Sequence, residues 1–354
     1  MPIVFVPAPL RSLTGGQDRL DVAGATVGAL VDAIERAHPG FRARVVADGE
    51  LRPSLAVSVD GDLVTRGLDE PVAGAREVHF VPALGGGHGP GASDPHDALP
   101  PSGTADAYTR IFEARGGSYN AAHALVPEAR EIERSLLLDR VDPGPGLRVL
   151  DVPAGGGYVA DGLRLRRPDL SVVCVEPAAA FAAGIDAGHA RVRGALQRLP
   201  FGDACFDRVA SLAGTHHLED RLAFFRECRR VLRPGGRFAV ADAAADTPVA
   251  RFLNGPVDRF TTTGHDGRFF AAGEAADLLV RSGFATVVEE HVPYSWIFPD
   301  RHTMVRYCGL LFGLVRAREA EVDEAIQAHF TITEDADGRV CLPWSLVYAT
   351  GVAG

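Results

Sequence analysis

The spacing of hydrophobic positions changes along the chain, and residues 1–84 show a small mixed pattern of helix and strand. Over residues 26–38 four apolar side chains recur at helical spacing, which predicts one amphipathic helix. Thr26 is suited to cap its start, and Pro39-Gly40 to end it. Asp60-Gly61 predicts a tight hairpin turn. Strands are predicted around the helix at residues 3–6, 20–22, 55–59 and 77–82.

The pattern changes after this region. Residues 85–104 are mostly Gly, Pro, Ser, Asp and Ala, which predicts a linker. From about residue 105 to residue 354, strand-like apolar runs alternate with helical stretches. That alternation predicts an α/β fold with a parallel sheet and crossover helices.

Residues 147–177 contain the strongest signal for a ligand site. An apolar run that includes Asp151 leads into the turn Gly155–Gly157, then a helix, then a second apolar run that ends at Glu176. Glycines allow the backbone to approach a ligand closely, and the helix N-terminus that follows carries a positive dipole. An acid after the second strand is suited to the two hydroxyls of a ribose. The stretch therefore predicts an adenosine-type cofactor.

Composition excludes several classes of function. The net charge of −10 argues against a nucleic-acid surface, and no apolar run reaches the roughly 18 to 20 residues of a membrane span. The N-terminus lacks the pattern of a secretory signal. The five cysteines show no CxxC spacing, which favours reduced thiols in a cytoplasmic protein and no metal site. All 36 basic residues are arginine, so a lysine Schiff base is excluded.

Four segments after the linker resemble the class I S-adenosylmethionine-dependent methyltransferases. They are LDVPAGGGYVADGL (150–163), VVCVEP (172–177), LQRLPFGDACFDRVASLAGTHHLED (196–220) and FFRECRRVLRPGGRFAVAD (224–242). The loop that starts at Pro153 does not fit the G-x-G-x-x-G pattern of a nicotinamide site. The resemblance implies a Rossmann-like sheet of seven strands over residues 105–354, with S-adenosylmethionine as cofactor.

The resemblance also implies roles for individual residues. Asp151 would order the loop near the amino-acid end of the cofactor, Glu176 would accept the ribose hydroxyls, and Ala213 would border the sulfonium. The chain departs from the family pattern at Pro153, which replaces a loop glycine, and at Ala195, which replaces an acid near adenine. The cofactor-binding candidates are Asp151, Ala154, Gly155, Gly157, Glu176, Pro177, Ala195, Leu196, Ala213 and Tyr119.

Candidate residues for the chemistry follow the fourth strand of the predicted sheet. His216 and His217 lie at the edge where ligands of such sheets bind, and either could act as a general base. Since H-H-L-x-D is common in the methyltransferase family whatever the substrate, the resemblance favours a structural role for this pair over a catalytic one.

Three further segments are candidates to enclose the site. Residues 106–123, with a break at Gly116-Gly117, would form a lid over the cofactor, although their aromatic side chains could serve packing alone. Residues 246–270 and 294–340 exceed what a minimal sheet needs and would form helical caps over an acceptor pocket. Candidates to line that pocket are Phe252, Asn254, His265, Arg268, Trp296, Tyr307 and Phe312.

The N-terminal region resembles the β-grasp (ubiquitin-like) sulfur carriers, namely the molybdopterin-synthase small subunit and the thiamine sulfur carrier. The matching segments are LRSLTGG (10–16), GATVGALVDAIERAHPGF (24–41), LAVSVDGDLV (55–64) and REVHFVPALGGG (76–87). In that family a terminal glycine carries a thiocarboxylate. Here His88 follows Gly87, so carrier chemistry at Gly86 or Gly87 would require proteolysis. A module kept for docking or solubility is the alternative.

Together these patterns predict two domains and one function. A β-grasp domain (1–87) and a linker (88–104) would precede a methyltransferase domain (105–354) that methylates a small molecule. An adenylating sulfur-transfer enzyme or a protease could act on the Gly85–Gly87 tail; no nucleic acid or membrane partner is expected. The alternative is a sulfur carrier, active after cleavage at Gly87, with a docking or regulatory methyltransferase-like domain.

Overall fold

A computed structural model describes residues 1–82 and 107–354. The linker and the Gly85–Gly87 tail predicted from the sequence lie outside the described residues. No helix among the described residues has both the length and the apolar character needed to cross a membrane.

The first unit is a five-stranded sheet with one main helix on it. Its strand order is β2-β1-β7-β5-β6, with β1 parallel to β7 in the centre. The elements are β1 (Ile3–Phe5), β2 (Arg19–Asp21), α1 (Val27–Ala37), α2 (Phe41–Val45), β3 (Val46–Ala47), β4 (Glu50–Leu51), β5 (Leu55–Val59), β6 (Asp62–Leu63) and β7 (Glu77–Pro82). The α1 helix starts as predicted, because Thr26 accepts a hydrogen bond from the Ala29 amide. Asp60 and Gly61 both have positive φ, as the predicted hairpin turn requires.

The second unit contains an eight-stranded sheet. Its first half comprises α3 (Ala107–Leu125), α4 (Glu131–Val141), β8 (Arg148–Asp151), α5 (Tyr158–Arg166), β9 (Ser171–Val175), α6 (Ala179–Ala182), β10 (Ala190–Val192), β11 (Phe206–Leu212), α7 (Arg221–Val231) and β12 (Leu232–Asp242). Its second half comprises α8 (Pro248–Phe252), α9 (Asp258–Phe260), α10 (Glu274–Arg281), β13 (Phe284–Phe298), α11 (Arg301–Phe312), α12 (Glu319–His329), β14 (Thr333–Glu334) and β15 (Val340–Ala353).

The strand order confirms the predicted fold class. Seven strands run in the order β10-β9-β8-β11-β12-β15-β13, and the short β14 pairs with β15. The first five are parallel, and β15 is antiparallel to both of its neighbours. The carboxyl ends of β8, β9 and β11 therefore meet at one edge of the sheet, where ligands of such sheets bind.

The last two strands are longer than the sequence pattern predicted. The hydrophobic pattern places the sixth strand of the sheet at 286–292 and the seventh at 344–350. In the structure β13 is an edge strand and continues past Pro293 to Phe298. A proline is tolerated there, since its missing N–H faces away from the sheet. The segment 294–340 consequently begins as strand, and 246–270 is helical only as far as Phe260.

The predicted break at Gly116-Gly117 is wrong, because α3 runs through both glycines. A Cβ atom on Gly116 would lie only 2.5 Å from the backbone of Phe181. The glycine is thus required for close packing of α3 on α6, where the sequence pattern suggested a turn.

The two units contact each other along the edge of the large sheet. The Ser58 hydroxyl donates to the Arg191 carbonyl at 2.8 Å, and the Arg193 amide donates to the Gly61 carbonyl at 2.7 Å. Arg191 also pairs with the carboxylate of Glu77 on β7. The contact lies at β10 and also has an apolar part, because Val81 of β7 belongs to the same buried cluster as Val173 and Val192 of the large sheet.

Candidate functional site

The glycine loop follows β8 at the carboxyl edge of the sheet. Asp151, the last residue of β8, is fully buried and accepts a hydrogen bond from the Ala160 amide of α5 with one oxygen. Its other oxygen, Oδ1, has no partner among the described residues. Burial raises the pKa of Asp151 well above its ordinary value. Gly155 and Gly157 have positive φ, which a side chain would disfavour.

Glu176 lies directly beside this loop. The Gly155 amide and the Tyr108 hydroxyl both donate to its Oε2 at 2.9 Å, and the Ala178 amide donates to Oε1 at 2.9 Å. Burial raises the pKa of Glu176 from 4.5 to about 7, although these three hydrogen bonds favour the ionised form. The residue after β9 is therefore held as a buried hydrogen-bond acceptor at the loop.

The helix α3 covers this part of the molecule. Phe112 stacks on Phe181 with ring centroids 4.8 Å apart, and Tyr119 contacts the same ring at 4.7 Å. We call the space that these rings share with the glycine loop the cofactor-side pocket. Its volume is about 40 Å³, which is room for one or a few water molecules. It is lined by Tyr108, Phe112, Tyr119, Pro153, Ala154, Gly155, Gly156, Tyr158, Val159, Phe181, Leu212, Ala213 and Gly214.

A second feature of the sheet edge is a His–Asp pair between β11 and β12. The Nδ1 atom of His216 lies 2.6 Å from Oδ1 of Asp242, which is the last residue of β12. Asp242 also accepts hydrogen bonds from the Thr215 hydroxyl and from backbone amides of His216 and Ala243. Burial would raise the pKa of Asp242, but His216 and these donors hold it below its ordinary value. The carboxylate thus fixes the orientation of the His216 ring.

Two more histidines pack against His216. The His217 ring centroid lies 4.1 Å from that of His216, and the His265 centroid lies 5.3 Å from it. Burial lowers the pKa of His217 and of His265 well below 6.5, and the positive charge of Arg115 adds to this effect. Both rings are therefore neutral near pH 7.

These histidines line a cavity that we call the histidine cavity, with a volume of about 60 Å³. His216 and His217 also line an outer cavity of about 540 Å³. A small molecule bound in the outer cavity would thus contact His216 and His217. The histidine cavity is lined by Phe112, Arg115, Tyr119, Arg130, Glu133, Ala213, His216, His217, Asp242, Ala243, Val249, Leu253, His265, Trp296, Leu311, Phe312, Trp344 and Leu346.

Arg115 brings an uncompensated charge to this cavity. It is 6% exposed, and its Nε and Nη1 atoms have no partner among the described residues. Burial lowers its pKa to about 10, so the guanidinium still carries its charge at neutral pH. A buried cation without a partner is costly, which indicates a site for an anionic group.

A separate buried ion pair supports the far wall of the histidine cavity. Arg130 pairs with Glu133, and the other Glu133 oxygen accepts from the Tyr294 hydroxyl at 2.8 Å and from the Trp296 indole at 3.0 Å. Arg130 also donates to the Tyr119 hydroxyl. Because these partners are satisfied by one another, the group holds Tyr119 and Trp296 in place.

The structure brings most, but not all, of the sequence candidates together. Ala154, Gly155, Ala213 and Tyr119 line the cofactor-side pocket, with Asp151 and Glu176 bonded around its loop. Gly157, Pro177, Ala195 and Leu196 are not among its lining residues, and Leu196 is buried in the core. Of the predicted acceptor-pocket residues, His265, Trp296 and Phe312 line the histidine cavity, whereas Arg268 lines the outer cavity. Asn254 binds His265, and Phe252 and Tyr307 are core residues.

Sequence reasoning missed Arg115, Arg130, Glu133 and Asp242. A charged residue within an otherwise apolar helix face was the available signal for Arg115. Asp242 follows a predicted strand at its carboxyl end, the same position that drew attention to Asp151 and Glu176.

Two family matches cover separate parts of the chain. Residues 150–240 match a methyltransferase domain family, and residues 4–87 match the ThiS family. The fold of the YcgJ protein from Bacillus subtilis aligns with a TM-score of 0.46 at 21% identity, over 63% of this chain and 98% of that one.

Among relatives, demethylmenaquinone methyltransferase of Corynebacterium glutamicum (strain R) is 31% identical over 140 residues, which is 39% of this chain and 60% of the relative. The corresponding protein of Mycobacterium bovis (strain BCG / Pasteur 1173P2) is 39% identical over 109 residues, which is 29% of this chain and 44% of the relative. This chain thus spans from 44% to 60% of the length of these relatives. Residues 4–87 are thus similar to the ThiS family, and residues 150–240 are similar to a methyltransferase domain family.

Proposed function

We propose that this protein transfers a methyl group from S-adenosylmethionine to a small anionic molecule. The observation that supports this proposal most strongly is that Phe112, Tyr119 and Ala213 line both the cofactor-side pocket and the histidine cavity. A donor in one space and an acceptor in the other would therefore be adjacent, which is what an in-line transfer requires. The assigned domains, 1–87, 88–104 and 105–354, are part of this proposal.

The residues around the glycine loop fit the cofactor. The unpartnered Asp151 Oδ1 is a buried acceptor, and Glu176 offers a carboxylate at the loop that could take two ribose hydroxyls. When bound, S-adenosylmethionine supplies an electrophilic methyl group on a positively charged sulfur. Ala154, Gly155 and Gly157 would contribute backbone contacts to it, as expected from the sequence.

Access to the cofactor-side pocket would require a movement of α3. The Tyr108 hydroxyl donates a hydrogen bond to Glu176, the carboxylate proposed to bind the ribose. The volume of the pocket, about 40 Å³, is also far below the 300 Å³ or more that a small-molecule site commonly offers. We infer that α3, whose residues were expected to form a lid, moves aside to admit the cofactor and closes over it.

The acceptor would bind in the outer cavity of about 540 Å³ and reach into the histidine cavity, which shares His216 and His217 with it. The guanidinium of Arg115 would pair with an anionic group, since two of its buried nitrogen atoms have no hydrogen-bond partner within the described part of the chain. His216 is the better placed of the two candidate bases, because Asp242 holds Nδ1 and leaves Nε2 free to take a proton. The apolar walls formed by Leu253, Trp296 and Phe312 would contact the body of the acceptor and exclude water.

Calorimetry tests the cofactor assignment. We expect S-adenosylmethionine and S-adenosylhomocysteine to bind the full chain with one site each, and NADH not to bind. Absence of binding by both adenosyl ligands would contradict the proposal. It would favour the alternative in which this domain docks or regulates without turnover.

A second function is considered for the first unit because the ThiS match extends to Gly87. We propose that Gly87, or Gly86, carries a thiocarboxylate only after proteolysis releases it from His88. Mass spectrometry of the protein from its native host checks this idea. A chain that stays intact throughout growth would contradict it and favour a docking module.

A further inference from the structure

The three histidines of the histidine cavity lie close enough to share one ligand. One ring nitrogen from each of His216, His217 and His265 can be chosen so that all three lie within 4.8 Å of one another. In a tetrahedral zinc site with bonds of 2.0–2.1 Å, ligand nitrogens are about 3.4 Å apart. Small rotations of the side chains would therefore bring the three nitrogens to ligand distance.

Hydrogen bonds fix the tautomers of His216 and His265 so that a nitrogen of each ring can bind a metal ion. His216 donates Nδ1–H to Asp242, so its Nε2 lone pair is free. His265 Nδ1 lies 3.0 Å from Oδ1 of Asn254. Asn254 is itself fixed by Gly267, whose amide donates to Oδ1 and whose carbonyl accepts from Nδ2. His265 Nδ1 must then be the donor, and its Nε2 is free as well.

This arrangement is the usual surrounding of metal-binding histidines. Such histidines donate their second N–H to a carboxylate or a carbonyl oxygen, which fixes the tautomer and orients the ring. Here Asp242 and Asn254 supply one acceptor of each kind. The buried carboxylate of Asp242 also places a negative charge directly behind His216, which offsets part of the repulsion between a cation and Arg115.

We propose that His216, His217 and His265 bind one divalent transition-metal ion, with a fourth position open to the histidine cavity. Three imidazoles suit zinc, copper, iron or nickel, and three protein ligands with an open position are the arrangement of catalytic zinc. The ligands come from two separate segments, the turn after β11 and the loop after α9. Both lie at the carboxyl edge of the sheet.

The ion would help to bind the acceptor. A hydroxyl or thiol at the fourth position would lose its proton to water more readily, because the cation would stabilise the anion that remains. His216 would then be a ligand and would not take the proton itself. This role rests on the proposed function, whereas the binding of the ion does not.

Metal titration of the full chain tests the site. The protein is dialysed against a chelator, and Zn²⁺ is titrated by calorimetry; Co²⁺ is added in a parallel sample to record its visible spectrum. We expect one equivalent of each ion to bind, with the intense visible bands of tetrahedral Co²⁺. His265→Ala should weaken Zn²⁺ binding about 100-fold or more, and Asn254→Ala about 10-fold to 100-fold.

His291→Ala is the matched control, because His291 is exposed on β13. It should bind Zn²⁺ as the unchanged protein does. Equal Zn²⁺ affinity in His265→Ala and His291→Ala would overturn the proposal, and so would the absence of a stoichiometric site in the unchanged protein. His265→Gln, which keeps a polar side chain, replaces His265→Ala if thermal melting shows that the latter is unfolded.

Binding of S-adenosylhomocysteine to the same samples separates the two proposals. Zn²⁺ binding without binding of the adenosyl ligand would overturn the proposed function and leave the metal site supported. Binding of the adenosyl ligand without Zn²⁺ binding would overturn the metal site alone. If both ligands bind, removal of the metal should lower the rate of methyl transfer at least tenfold, and adding the metal again should restore it. An unchanged rate would contradict the role of the ion in transfer and favour His216 as the general base.

Discussion

The cofactor-side pocket and the histidine cavity share three wall residues but are built in opposite ways. Beside the cofactor-side pocket, the carboxylates of Asp151 and Glu176 come from one continuous stretch of chain and accept hydrogen bonds from nearby backbone amides. In the histidine cavity the polar groups come from α3, from the turn after β11 and from the loop after α9. Arg115 there has unpartnered N–H groups, whereas the Glu176 oxygens are all occupied.

This difference shows what a ligand would have to displace in one pocket and what it would add in the other. The cofactor-side pocket is closed by its own lid residue Tyr108, so a ligand must displace a hydrogen bond that the protein already makes. In the histidine cavity the Nε and Nη1 atoms of Arg115 have no hydrogen-bond partner among the described residues, so an anionic ligand would supply one. The four expectations below test this contrast.

The largest expected effect is the pH dependence of stability that Glu176 causes. Its pKa is about 7 in the fold and 4.5 ordinarily, so the folded protein holds this proton while the unfolded chain releases it. The cost to folding is absent below pH 4.5, grows between pH 4.5 and 7, and reaches about 3 kcal/mol above pH 7. Urea unfolding of the unchanged protein and of Glu176→Gln at several pH values measures it. Parallel curves for the two proteins would show that Glu176 does not titrate in this range.

Glu176→Gln should also weaken cofactor binding. An amide has one acceptor oxygen and no charge, and a hydrogen bond to a charged group contributes about 1.5–3 kcal/mol, so affinity should fall 10-fold to 100-fold. Calorimetry with S-adenosylhomocysteine at pH 8 measures the loss. Glu128→Gln, at an exposed glutamate, is the control and should bind normally. Equal affinities of Glu176→Gln and of the unchanged protein would show that Glu176 does not bind the ribose.

Arg115→Leu should change stability and activity in opposite directions. Removing an unpartnered buried cation is expected to stabilise the fold by about 1 kcal/mol or more, because replacing buried charges by apolar groups is often stabilising. The same change should lower kcat/KM for an anionic acceptor about tenfold, since the anion loses its partner. Thermal melting and steady-state kinetics measure the two effects, with Arg226→Leu at an exposed site of α7 as control. A loss of both stability and activity would mean that Arg115 is structural.

The smallest expected effect is that of Tyr108→Phe. The change removes a hydroxyl that occupies Glu176 and leaves the ring in place, so S-adenosylhomocysteine should bind about threefold more tightly. In a Glu176→Gln background the same change should have little effect, because the two residues act on one hydrogen bond. Weaker binding in Tyr108→Phe would indicate that the hydroxyl contacts the ligand instead of competing with it.

Local patterns were enough to predict much of the molecule. The helix capped by Thr26, the Asp60-Gly61 turn and the β8 loop with Glu176 all depend on residues close in sequence, and the structure has these elements where they were expected. Predictions failed where contacts with residues distant along the chain determine the local structure. Pro293 continues a strand because that strand is at an edge, and Gly116 lies within a helix because Phe181 packs on it.

The sequence by itself determined the two units, the class of the large sheet and the loop with its acid, because hydrophobic spacing and glycine position act over a few residues. Only the tertiary structure placed His265 beside His216 and His217, set Asp242 behind His216, and left two Arg115 nitrogens without a hydrogen-bond partner among the described residues. These relations join segments that are distant along the chain. They arise because parallel strands bring their carboxyl ends to a common edge, and no local pattern specifies which side chains meet there.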